Sequence, residues 1–169
     1  MSSANQGVTN DRYTLVPRTL IFITREDRIL LLRGAAKKRL WANLYNGIGG
    51  HIEQGENIRR SALREAYEET GLEIQSLQFC GTITVDVTEK SGVCIFVFKG
   101  EYAQGELRSS REGSLEWVPI EDVHQLPLVE DLYSLLPRVL AITPGVPPFF
   151  GHYSYDQDER LAITYEPLI

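Results

Sequence analysis

Cysteine is scarce in this chain: Cys80 and Cys94 are the only two among 169 residues. Both sit in strand-like stretches and read as buried free thiols. No Cys/His cluster has the spacing of a zinc site. Long apolar runs are missing too. No segment approaches the length needed to span a bilayer. The polar stretch Met1 to Arg12 lacks the apolar centre of a secretion signal, so the expected location is cytoplasmic. Positive charge is in short supply: 17 Lys and Arg against 23 Asp and Glu give a net charge of −6. That balance argues against an extended nucleic-acid strand or an anionic membrane as partner. It leaves room for a small nucleotide, because a bound cation can bridge two anionic parties. No internal repeat, second domain or appended DNA-binding segment is expected.

What is present suits one folded domain. Apolar residues make up 43% of the chain and charged residues 24%, enough to bury a core. Residues 1–12 are expected to form a flexible polar tail and residues 13–169 a single domain. Thr19 to Thr24 reads as a buried strand, with Arg28 to Leu32 as its hairpin partner across a turn at Arg25-Glu26-Asp27. Leu44 to Ile48 is a short strand leading into Gly49-Gly50. Ile74 to Val87 and Val93 to Tyr102 are two long β runs, and Ser114 to Val118 is a shorter one. Pro119 to Val123 looks like a helical turn with its proline near the start. Glu130 to Ile142 has helical spacing, with Pro137 expected to kink it. Phe149 to Tyr155 and Leu161 to Tyr165 form a terminal hairpin. Strands dominate and two helices fall mid-chain and late, which is an α+β or α/β layered arrangement.

The most informative stretch runs from Gly50 to Leu72. A glycine-rich loop passes into a short helix with Asn57 as a candidate N-cap and Gly71 as its C-terminal glycine. Leu63, Ala66, Tyr67 and Thr70 share the face expected to meet the core. Glu65, Glu68 and Glu69 stand at i, i+3 and i+4 on another face, where like charges repel and raise one another's pKa. Such a face is either simply solvated or neutralised by a hard divalent cation, which takes oxygen ligands. The basic loop Arg33 to Asn43, with Lys37, Lys38 and Arg39, is either solvated or offers positive charge to phosphates nearby.

The spacing in this stretch resembles the Nudix box: Gly, five residues, Glu, seven residues, Arg-Glu, an apolar residue, any residue, Glu-Glu, any residue, Gly and an apolar residue. Gly50, Glu56, Arg64, Glu65, Glu68, Glu69, Gly71 and Leu72 match it. Ala66 fills an apolar slot with a smaller residue than usual. At residue frequencies of ~6%, seven fixed identities meet by chance in on the order of 10⁻⁹ of frames. The resemblance implies an α/β/α sandwich, with a mixed sheet between helices and the box helix on one face. It also implies Mg²⁺-dependent attack of water on a nucleoside diphosphate linked to another group, with Mn²⁺ as a possible substitute. By the same resemblance Glu65, Glu68, Glu69 and the Gly49 carbonyl would be metal ligands. Glu56 would act from behind them or through water, and Arg64 would hold a box glutamate in place. An ordinary helical pair between Arg64 and Glu68 is compatible with that role.

The resemblance extends beyond the box. Glu112 lies five residues before Trp117, as in MutT-type enzymes, and is the candidate fourth ligand or general base. Glu116, its rival, is expected to be a surface residue beside Trp117. Asn46-Gly47-Ile48-Gly49-Gly50 matches the run in mammalian-type 8-oxo-dGTP diphosphatases whose asparagine bonds the purine. Asn46 could equally satisfy a turn. Glu130-Asp131 falls where that group has a paired acid for the oxidised base, or could cap the second helix. Leu128 stands where an aromatic residue stacks on the base, a departure from that pattern. The implied function is hydrolysis of a (deoxy)nucleoside triphosphate, including an oxidised purine such as 8-oxo-dGTP, to monophosphate and diphosphate. The alternatives are a pyrophosphatase of ADP-ribose, a nucleotide sugar or a dinucleotide, and a sensor module that binds without turnover. The partner is a small nucleotide, and the protein a monomer or homodimer.

Overall fold

Alternation along the first two strands sets the architecture. The computed structural model describes residues 6–7, 9, 11–37, 40–108 and 112–166. Residues 1–5, 8 and 10 of the expected tail, and Lys38 and Arg39 of the basic loop, lie outside the described residues. Strand β1 (Thr14–Arg25) and strand β2 (Arg28–Gly34) meet through Ile23–Leu30, Thr24–Ile29 and Arg25–Arg28. Ile21, Ile23, Leu30 and Leu32 bury on one side of the sheet; Phe22, Ile29 and Leu31 bury on the other. A strand covered on both faces reads as a continuous apolar run, which is how β1 looks in sequence.

The remaining strands are β3 (Tyr45–Asn46), β4 (Glu73–Asp86), β5 (Ser91–Gln104), β6 (Gly113–Pro119), β7 (Phe149–Tyr155) and β8 (Leu161–Glu166). The sheet order is β3-β2-β1-β5-β4-β7-β8, with β6 also paired to β2. Pairs β1–β5 and β4–β7 are parallel and the others antiparallel, so the expected mixed sheet is present. Helix α1 (Ile58–Thr70) packs on one face through Ala62 and Ala66 against Ile21, Leu30, Ile48 and Phe98. Helix α2 (Leu132–Ala141) covers the other through Leu132, Leu135, Leu136 and Val139. The layers therefore run helix, sheet, helix. A 3₁₀ turn at Ile120–Gln125 follows β6, where the helical turn was expected. Among the described residues no helix is long and apolar enough to cross a membrane.

Three local expectations need correction. The core face of α1 is Ala62, Ala66 and Thr70, one step around the helix from the predicted set. Leu63 is half-buried, and Tyr67 is exposed beneath the Arg108 guanidinium. Small residues let α1 approach the sheet closely, and that decides its rotation more than the bulk of its apolar residues. The β4 run is broken by register shifts around Gln75–Gln78 and Phe79–Gly81, with Ser76 at positive φ. Glu116 is half-buried and its Oε2 accepts a 2.7 Å hydrogen bond from the Tyr45 hydroxyl. Alternation puts Glu116 with Val118 on the α2 side, while Leu115 and Trp117 face α1.

Pro137 lies inside α2 without ending it. The missing N–H would have served the carbonyl of Tyr133, and both residues are exposed, so water can take its place. Leu135, fully buried between α2 and the sheet, carries much of this layer's packing. Leu135→Ala is expected to lower the unfolding free energy by about 2–5 kcal/mol, read from urea denaturation midpoints.

Candidate functional site

The site begins where β1 parts from β2. After its three pairs with β2, β1 takes a new partner, the segment Ile48–Ile52. Ile21 and Ile48 exchange main-chain hydrogen bonds of 2.6 and 3.0 Å, and Thr19 N–H donates to the Gly50 carbonyl at 2.9 Å. Two glycines are required by close approach. A Cβ on Gly49 would stand 2.1 Å from the Thr19 carbonyl oxygen, and one on Gly50 2.4 Å from Glu65 Oε1. Gly50 thus leaves room for the Glu65 carboxylate to lie directly on the backbone.

Helix α1 starts as expected. Asn57 caps it by accepting from Arg60 N–H at 2.9 Å, and Gly71 ends it at φ +76°. The helix then carries one cation among its acids. Arg64 Nε donates to Glu56 Oε1 at 2.7 Å and Nη2 to Glu56 Oε2 at 3.0 Å. Its Nη1 donates to Glu65 Oε1 at 2.9 Å and to Glu68 Oε2 at 3.0 Å, and Nη2 reaches the His51 carbonyl at 3.1 Å. One guanidinium therefore holds three glutamates and the loop before the helix. The bond from Arg64 is the main cause holding the Glu56 carboxyl down to about 2, and these partners raise the pKa of Arg64 itself.

A cleft of about 460 Å³ opens beside this assembly. Glu65 and Glu69 reach it from α1, and Glu112 from the loop before β6. Glu69 Oε2 accepts from Gly49 N–H at 3.3 Å. The main-chain carbonyl of Glu112 accepts from Ala35 N–H at 3.0 Å, which ties that loop to the end of β2. Asn46, Gly49 and Asp131 line the same cleft. Asn46 Oδ1 accepts from Gly47 N–H at 2.7 Å, so the turn reading and the cleft position both apply. Asp131 is the N-cap residue of α2 by position but makes no side-chain capping bond. Burial raises its pKa, and the charge of Glu130 adds to the shift.

Glu56 and Glu68 are held by Arg64 and do not line the cleft; Glu68 is exposed. Glu130 is exposed and also outside it. Leu128 is buried in the core, paired with Tyr45 in a parallel bridge, and alternation turns the next residue, Val129, to the cleft instead. Sequence reasoning passed over Val129, Trp41, His51 and Arg18, all of which line the cleft. Only the β1–loop pairing and the path of residues 127–129 along β3 bring them there. Lys37 is exposed and does not line the cleft.

The donor set suits a hard divalent cation: carboxylates of Glu65, Glu69 and Glu112, with the main chain of Gly49, border one cleft. Among the described residues no three His, Cys, Asp or Glu side chains already stand together closely enough to hold an ion. Arg64 and the Gly49 N–H engage the α1 glutamates instead.

The family model of the NUDIX domain matches residues 14–139. The oxidized purine nucleoside triphosphate hydrolase of Mus musculus is 28% identical over 148 residues, 87% of this chain and 90% of that protein. Its counterpart in Danio rerio is 31% identical over 106 residues, covering 62% and 67%. The crystal structure of a mutator MutT protein from Bacillus halodurans superposes with a TM-score of 0.78 at 26% identity, over 92% of this chain and 100% of that one.

The Arg64–Glu56 pair gives a pH signature. The Glu56 carboxyl falls from its ordinary 4.5 to about 2 in the folded protein. A depressed carboxyl stabilises the fold above the unfolded value, and that contribution is lost as pH falls through the folded value. The stability difference between the native protein and Glu56→Gln should be constant from neutral pH down to about 5.5, then shrink between 4.5 and about 2. Urea midpoints across that range check it.

Proposed function

The chain belongs to the Nudix family and is a hydrolase of that family, and from its cleft we propose that it is a divalent-metal-dependent enzyme acting on a (deoxy)nucleoside triphosphate. The products are a nucleoside monophosphate and diphosphate, and an oxidised purine such as 8-oxo-dGTP is the favoured substrate class. The observation that carries this reading is the convergence on one cleft of Glu65 and Glu69 from α1, Glu112 from a distant loop, and Asn46 and Asp131. The named activity of the Mus musculus and Danio rerio relatives adds support.

Mg²⁺, with Mn²⁺ as a substitute, would supply charge neutralisation on the phosphates and a more acidic water when bound. Glu65, Glu68, Glu69 and the Gly49 carbonyl are the groups proposed to hold it, with Glu56 acting through water. Arg64 keeps Glu65 and Glu68 in fixed rotamers and so positions ligands without touching substrate. Glu112, which lines the cleft from the loop before β6, is proposed to accept a proton from the attacking water or to complete the ligand set. Asn46 spends its carbonyl oxygen on Gly47, which leaves its NH₂ group to donate to a purine acceptor. Asp131, whose pKa burial raises, borders the same cleft and offers its carboxyl oxygens to the same base edge. Val129 gives the base an apolar contact in place of Leu128, and Glu130 acts on Asp131 as a neighbouring charge. The same reading takes residues 13–169 as one cytoplasmic domain, a monomer or homodimer, with no nucleic-acid strand or membrane as partner.

Glu69→Gln is expected to lower kcat/KM by about 10²–10⁴-fold with an unchanged thermal midpoint; near-native turnover would sink the assignment. A substrate panel with and without Mg²⁺ should rank triphosphates, 8-oxo-dGTP among them, above ADP-ribose. The reverse ranking would favour the pyrophosphatase alternative, and binding without metal-dependent turnover would favour a sensor.

A further inference from the structure

Acids outnumber bases in the described lining of the cleft. Glu53, Glu65, Glu69, Glu112 and Asp131 line it, and among its described lining residues Arg18 is the one Lys or Arg. A fixed cation in such a cleft has a large effect on which anionic ligands are held. The two arginines of the site differ sharply. Arg64 is saturated by three glutamates. Arg18 makes no ion pair among the described residues, although five carboxylates share its cleft.

Arg18 is held in place without being neutralised. It lies on β1, in register with Ile95 of β5 on one side and bridged to His51 on the other. Its Nε donates to His51 Nε2 at 3.1 Å. That bond fixes the plane of the guanidinium and makes Nε2 the acceptor of the imidazole. Nη1 and Nη2 have no hydrogen-bond partner among the described residues. They form the half of the fork best suited to two oxygens of one phosphate. A strand residue braced by a neighbour offers this fork with little ordering cost.

We infer that Arg18, braced by His51, is an anchor for the ligand's phosphate chain in this cleft. The inference rests on the proposed reading of the cleft as a nucleotide site and adds a phosphate-binding residue to it. Calorimetric titration with inorganic pyrophosphate and Mg²⁺ tests it directly, without turnover. Arg18→Gln should weaken pyrophosphate binding by about tenfold or more, the scale of a lost charge-assisted hydrogen bond. Arg18→Lys, which keeps the charge but not the fork, should lose less. In turnover, KM for a triphosphate should rise by a similar factor while kcat stays within about threefold. Thermal midpoints establish that both variants fold. Unchanged pyrophosphate affinity in Arg18→Gln, or no pyrophosphate binding by the native protein, overturns the inference. Failure of the substrate reading looks different: ADP-ribose would lead the panel while pyrophosphate binding still depended on Arg18.

Discussion

Three glutamates gathered around one short helix need a counterion, and in this protein the counterion is Arg64. Its guanidinium joins Glu56 on the loop to Glu65 and Glu68 on α1, and takes the His51 carbonyl as well. Lysine could not do this, since a point charge lacks the planar fork that meets several oxygens in fixed directions. Through these bonds the path of the loop from His51 to Asn57 is coupled to the rotamers of the box glutamates. Breaking the arginine away would leave half-buried carboxylates facing one another, which costs more than any single pair contributes.

The second constraint is a fork in the sheet. β1 and β2 stay together for three residue pairs and then diverge. β2 goes on to pair with β6 along its length and with β3 at its end. β1 instead receives Ile48–Ile52 through close backbone contact. The gap between these two pairings is the cleft. This is why Glu112, far along the chain from α1, reaches the same space as Glu69: the β2–β6 register carries the start of β6 to the fork.

The box was legible in the sequence because its spacing encodes chemistry and local structure together. Asn57 and Gly71 are caps whose roles depend on adjacent residues, and both are as expected. The strands were legible because burial on both faces leaves a plain apolar run. What was missed turns on single-residue steps and distant partners. Leu128 and Val129 differ by one position, and strand-like alternation decides which of them meets the cleft. Ala62 was passed over as a core residue because its contribution is the space it does not occupy. Arg18 and His51 are far apart in sequence and become neighbours only through the β1–loop bridge.

Charge accounts for how the parts divide their work. A chain of net charge −6 that handles an anionic ligand must place its few cations with care. Arg64 is spent inside the protein: its partners fix the machinery and leave little of its field for a ligand. Arg18 has the opposite arrangement, with an imidazole brace and terminal nitrogens unclaimed among the described residues. One arginine keeps the acids in order and the other faces the cleft. The box helix alone supplies only the first of these. The second depends on β1, so the reach of the site extends across the fork in the sheet, beyond the motif that announces it.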